Sequence, residues 1–166
     1  MARANLADAY AVKRSLGRCW GFSVLSFGGW CYWWFYVHRK LFDGELGTGR
    51  DDAALHTVGM FVPILNFFVV YWLWRDLNVL RSRAGLAQFP AVGYVIGSIF
   101  LAPLFYSLVV GPLNEYWDVR LGGFAAEAPA TTVEKVLVAI GIGLWTLWLV
   151  GIGVAIVVAI LAGSSS

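Results

Sequence analysis

The sequence predicts an all-α integral membrane protein, a four-helix transmembrane bundle preceded by a short amphipathic interfacial helix. Three observations carry this. The ionisable residues fall into islands, and the gaps between them are each about as long as the 20 apolar residues needed to cross a ~30 Å hydrocarbon core. The composition is 60% hydrophobic and 13% charged, against roughly 25% charged in an average soluble domain. The gaps also carry the aromatic ends and small-residue spacings that suit helices in lipid. One membrane domain of 166 residues, with spans at about 19–37, 55–74, 91–113 and 136–161, uses nearly the whole length.

Before the first span, Leu6, Tyr10, Ala11, Lys13 and Arg14 predict a helix lying along the inner interface. Residues 1–18 have no apolar core, so no cleavable signal peptide is expected and span 1 is expected to be retained. That span holds Trp20 near one end and Trp30, Tyr32, Trp33, Trp34, Phe35 and Tyr36 near the other, the pattern of interfacial aromatic belts. Cys19 and Cys31 would be about 18 Å apart on one straight helix, too far to bridge. They read as apolar fillers, with lipidation of Cys19 beside Arg14 and Arg18 as the other use. A glycine-rich outer loop follows, and Asp51 and Asp52 suit the positive end of the next helix.

Span 2 contains Pro63 and Asn66. Together with Gly59 and Val70 they share one helical face, expected to point into the bundle with Asn66 hydrogen-bonded to a neighbouring helix. Arg75, Asn78, Arg81 and Ser82 continue the helical period beyond Trp74, with Gly85 as the stop. Span 3 opens at Pro90 and carries the Gly93–Gly97 pair, with Pro103 expected to kink it and Pro112 to loosen its end. Span 4 is aliphatic, capped by Thr131 or Thr132. Its Gly151, Ala155, Ala159 and Gly163 recur every fourth residue, a line along which another helix, inside the bundle or from a partner, can approach closely.

Lysine and arginine divide seven to five if both termini are cytoplasmic, which sets that orientation; a net charge of +2 is too small to suggest nucleic acid. Two short patterns recur. Tyr32-Trp33-Trp34-Phe35 resembles Tyr71-Trp72-Leu73-Trp74, and Leu77-Asn78 resembles Leu113-Asn114; since consecutive spans run in opposite directions, interfacial anchoring is the expected cause. Pro63-Ile64-Leu65-Asn66, the Tyr-Trp-Leu-Trp-Arg-Asp-Leu-Asn run and the later Pro-Leu-Asn-Glu-Tyr-Trp resemble small bacterial multi-spanning proteins classed only as domains of unknown function. The resemblance covers about residues 15–118 and implies a bacterial inner membrane but no activity.

Catalytic chemistry has little to build on. No Gly-x-Ser-x-Gly turn or phosphate-binding glycine loop occurs, and no Asp, Glu, Lys or Arg falls inside a predicted span, where proton relays and ion paths would need one. The expected role is therefore a non-enzymatic accessory or interaction subunit without a cofactor, bound to lipid and to another membrane protein or to itself. Two alternatives stand beside it. A small oligomeric channel or transporter would use Pro63, Asn66 and Pro103 as lining. A haem-bearing redox subunit, or a metal site, would use His38 and His56, which adjacent antiparallel helices would bring to similar depth. Asp43, Glu45, Asp51 and Asp52 read as solvated loop acids.

Overall fold

The structure, a computed structural model, describes residues 11–100, 104–123, 125, 127 and 129–163. Among these residues the protein is all-helical, without a strand; an isolated bridge joins Lys13 to Glu127. Leu6 and Tyr10 of the expected interfacial helix lie outside the described residues, and residues 11–15 are not helical.

The four predicted helices appear as seven: α1 (Leu16–Leu25), α2 (Gly29–Leu46), α3 (Ala53–Gly59), α4 (Pro63–Arg83), α5 (Ala91–Phe100), α6 (Leu104–Arg120) and α7 (Thr132–Gly163). The first six form three units of one design, a short helix, a break and a long helix. Each break has a local cause where it is described. Between α1 and α2, Phe27 and Gly28 are both left-handed (φ 53° and 83°). Phe27 N–H donates to Val24 O at 3.0 Å and Gly28 N–H to Ser23 O at 2.8 Å, the closure that ends a helix. Ser26 Oγ then accepts the N–H of Trp30 at 2.8 Å and starts the next helix. Between α3 and α4, Val62 is extended and Pro63 occupies the first helical turn, where its missing N–H costs nothing. Pro63 thus begins a helix instead of bending one, and the expected continuous span 2 is two helices. The third break, with Pro103, lies outside the described residues.

The chain reverses at the two described breaks. Trp34 packs on Trp74 (centroids 6.2 Å) and Arg39 binds Asp76, so α2 and α4 advance in the same direction. Phe42 packs near Trp117 (6.5 Å) and Arg120 reaches Glu45, so α6 runs with them. The short α3 runs back: Asp52 lies at Arg39 and Phe61 stacks on Tyr32 at 4.3 Å. Four alternating spans would have made α2 and α4 antiparallel. They are parallel because a seven- to ten-residue helix returns the chain before each long one.

The core is made by the parallel helices, with Trp30, Trp34, Phe35, Leu73, Trp74, Leu77 and Trp117 among its fully buried members. Helix α7 rises beside α1. Gly141 lies against the turn at Leu25 and Ser26, where a Cβ would collide with backbone, and Trp145 Nε1 donates to Val24 O at 2.7 Å. From residue 146 to 163 every position is exposed, so the helix continues well beyond the turn at Leu25 and Ser26 with its sides uncovered by the described chain. It is the one described helix long and apolar enough to cross a membrane, with a mean hydropathy of 2.5 over its 18-residue apolar window.

Candidate functional site

Where the breaks lie at one end of the molecule, the charges gather at the other. Arg39, from α2, is 1% exposed and lies among three carboxylates: Nε donates to Asp52 Oδ1 at 3.2 Å, NH2 lies 3.2 Å from Asp43 Oδ1, and NH1 binds Asp76. Thr48 Oγ1 donates to Asp43 Oδ1 at 3.2 Å, and Arg75 NH2 to Asp76 Oδ1 at 3.2 Å. Burial raises the Asp43 carboxyl above its ordinary range, although the Arg39 charge pulls the other way. Burial acts likewise on Asp52, but the hydrogen bond and charge of Arg39 outweigh it and hold that carboxyl low.

A second cluster surrounds Glu134 in the first turn of α7, which is fully buried. Its oxygens accept from Trp30 Nε1 (3.1 Å), Thr131 N (2.8 Å) and Thr131 Oγ1 (3.0 Å), with Arg14 NH2 at 3.5 Å and Arg18 NH2 at 3.8 Å. Thr131 and Glu134 form a reciprocal cap, since Glu134 N–H returns to Thr131 Oγ1 at 3.3 Å. Arg81 links a third set, donating to Ala87 O, Pro112 O and Glu115 Oε2 at 2.6–2.9 Å.

The repeated Leu-Asn pair has a structural meaning different from anchoring. Leu77 and Leu113 are core residues. Asn78 donates to Phe89 O at 2.8 Å and accepts Phe89 N–H at 3.0 Å. Asn114 does the same to Arg14, at 2.8 and 2.9 Å. Each amide pins one residue of an incoming chain by both backbone groups.

The expected histidine pair separates into two environments. His38 is buried, stacked on Trp34 (4.0 Å) and edge-on to Phe42, with Nδ1 2.8 Å from Trp34 O. Burial lowers its pKa to about 3, so the ring is neutral and its Nδ1–H donates. His56 lies 3.6 Å from Asp52 and beside Trp72, on a cavity of ≈ 290 Å³ lined by Arg39, Arg50, Asp52, His56, Trp72 and Arg75. Burial lowers the His56 pKa too. No group of three or more His, Cys, Asp or Glu able to hold a metal occurs among the described residues.

Asn66 lies in the first turn of α4 instead of mid-helix, and its side chain makes no hydrogen bond among the described residues. Gly97 faces Leu108 of α6, to which a Cβ would come within 3.4 Å; Gly93 has only Pro90 nearby, at 3.7 Å. Added Cβ atoms at Gly151 and Gly163 would meet nothing within 4 Å, and Ala155 and Ala159 are exposed like them. The glycine of α7 that permits a close approach is Gly141, outside that stripe. Both cysteines are free, and the fold-back rather than an 18 Å separation sets their places: Cys31 Sγ lies 3.5 Å from Ser23 Oγ, one turn from Cys19.

Sequence reasoning missed the buried charges Arg39, Asp76, Arg81 and Glu134. The only signal was the helical period running past Trp74. With this geometry in hand, the comparisons add nothing to it: no family model, no curated protein and no solved structure matches the chain.

Proposed function

We propose that this chain is an integral protein of a bacterial inner membrane that acts by contact instead of catalysis, as an accessory subunit of a larger complex or of its own oligomer. In this reading α7 alone crosses the bilayer, and the three fold-back units enter one leaflet only. Support comes from the exposed apolar surface near the break between α3 and α4: Val58 (63% exposed), Phe61 (64%) and Ile64 (74%) would each forfeit about 1.5–3 kcal/mol if left in water. Arg39 is 11 residues below Gly28 on α2, about 16 Å along the axis, which is half the hydrocarbon thickness. The turns suit such depth because their backbone groups are bonded within the protein: besides the closure at Phe27 and Gly28, Met60, Phe61 and Val62 N–H donate to Thr57, Val58 and Gly59 O.

The observation that carries the contact role is the bare half of α7. Lipid faces one side of residues 146–163, while the Gly151, Ala155, Ala159, Gly163 line offers a second helix the close approach that membrane packing rewards. One labelling experiment separates this topology from four crossings. Single cysteines at Gly47, Ala87 and Gly123, in a cysteine-free background, are expected to react with an impermeant reagent from the same side. Four crossings place Ala87 opposite the other two, and that result overturns the single-leaflet reading. The contact role is tested apart from topology. Gly151→Ile with Ala155→Ile is expected to release the native partner or oligomer while the monomer inserts normally, and full retention of every partner defeats it.

A further inference from the structure

We propose that the cavity between α2, α3 and α4 binds a phosphate group. Three guanidiniums reach it from separate segments: Arg39 from α2, Arg50 from the 47–52 connection and Arg75 from α4. Arg39 is committed to Asp43, Asp52 and Asp76. The other two are not. Arg50 is exposed and makes no ion pair among the described residues, and Arg75, half-exposed, spends Nε and NH2 on its neighbour Asp76 and leaves NH1 unused. The one carboxylate in the wall, Asp52, has its Oδ1 bound by Arg39 Nε. The buried His56 Nδ1 has no hydrogen bond and stands 3.6 Å from that same Asp52 Oδ1, so a phosphate here would meet the imidazole beside a carboxylate already held by Arg39.

Such a wall offers planar donors in excess and one imidazole, the chemistry that matches a phosphate oxyanion. Trp72, 5.2 Å from the His56 ring, closes the apolar side. A second cavity of ≈ 630 Å³ shares Arg50 and runs along Lys40, Asp43, Gly44, Gly47 and Asp51; its two carboxylates would accept from hydroxyls of whatever alcohol the phosphate esterifies. A lipid phosphodiester is the source we infer, because this cavity lies at the level where half-inserted hairpins meet headgroups. That choice of source rests on the single-leaflet reading; the phosphate chemistry does not.

Purified full-length protein in a non-phosphate detergent tests both. Thermal midpoints are followed while adding phosphatidylglycerol, a galactolipid without phosphate, or inorganic phosphate. A saturable rise with phosphatidylglycerol and none with the galactolipid is expected. Arg50→Gln with Arg75→Gln should raise the half-saturating concentration at least ~10-fold, each Arg–phosphate contact being a charge-assisted bond, whereas Arg120→Gln, which loses a surface pair with Glu45, should leave it unchanged. Arg50→Gln alone, at an exposed side chain with no ion pair, gives the same reading if the double variant misfolds. Saturation by inorganic phosphate that competes with the lipid upholds the site and assigns it to free phosphate. Equal response to the galactolipid, unchanged affinity in the Arg50 variants, or no saturable response to either phosphate source overturns it. Cysteine labelling reports separately on the leaflet reading.

Discussion

The lower and upper halves of α7 are both mainly aliphatic and have opposite surroundings. From Glu134 to Trp145 the helix is fastened to the body by a buried carboxylate, a glycine pressed against a turn and an indole bonded to a carbonyl. From residue 146 onward every position is exposed. Helix type does not distinguish the two, because both are mainly aliphatic beyond Glu134 and Lys135. What does is a handful of polar or missing side chains, each useful only where another backbone lies opposite. A glycine or an acid in a membrane helix therefore marks a contact only together with the group it faces.

Removing the strongest fastening should have the largest effect. Glu134→Ala takes a fully buried acceptor away from Trp30, Thr131, Arg14 and Arg18 and leaves buried donors behind. Loss of one partner of a buried pair costs about 3–5 kcal/mol. The unfolding midpoint in detergent should fall accordingly, and residues near Trp30 and Arg18 should become accessible to proteolysis. A variant as stable as the parent would mean that the lower half of α7 is held by apolar packing alone.

The contrast between the two ends also bears on what could be read in advance. Helical class, the charged islands and the unbroken last helix were legible, since length and apolar content decide them. Direction was not: hydropathy records how long a segment is, and a 19-residue crossing looks the same as two short helices folded at Phe27 and Gly28. The signals for folding back were present but ambiguous. Gly28-Gly29 could have marked a turn, and Pro63, read as lying inside span 2, fits a first helical turn better. Charges at the ends of the gaps read as solvated loop residues because a sequence cannot show that Arg39 and Asp76 converge when α2 and α4 run parallel. The Leu-Asn repeat was visible, yet its purpose depended on the partner backbones of Phe89 and Arg14, far away in the chain or across a loop.

The charged end should also respond to pH in a way the apolar end does not. His38 is buried and neutral, its pKa lowered from 6.5 to about 3, so between those values the unfolded chain takes up a proton that the folded protein refuses. Stability contributed at neutral pH is lost as the pH falls below 6.5, by roughly 3 kcal/mol at pH 4 at 1.36 kcal/mol per unit. His38→Phe, which keeps a ring against Trp34 but cannot titrate, should flatten the unfolding profile over pH 4–6.5 even if it lowers the plateau. An unchanged slope would assign the acid sensitivity to the carboxylates around Arg39 instead.

The finest test of the contrast puts one substitution into both halves of the same helix. At Gly141 a side chain collides with the Leu25 carbonyl oxygen and the Ser26 backbone, which sit in a closed turn and cannot swing aside as a flexible side chain would. Gly141→Leu should therefore cost about 2–3 kcal/mol, in the range of overpacked cores, and should separate α7 from α1. A crosslink between cysteines at Val24 and Trp145 would report that separation directly. At Gly151 the same change meets open space, and exposed substitutions away from contacts stay within about 0.5 kcal/mol; replacing glycine in a helix even favours the folded form slightly. Gly151→Leu should leave the detergent-purified monomer untouched and act only where a partner helix is present. Comparable losses at both sites in the isolated monomer would show that the upper half of α7 folds back onto its own chain, and the difference between the halves would disappear.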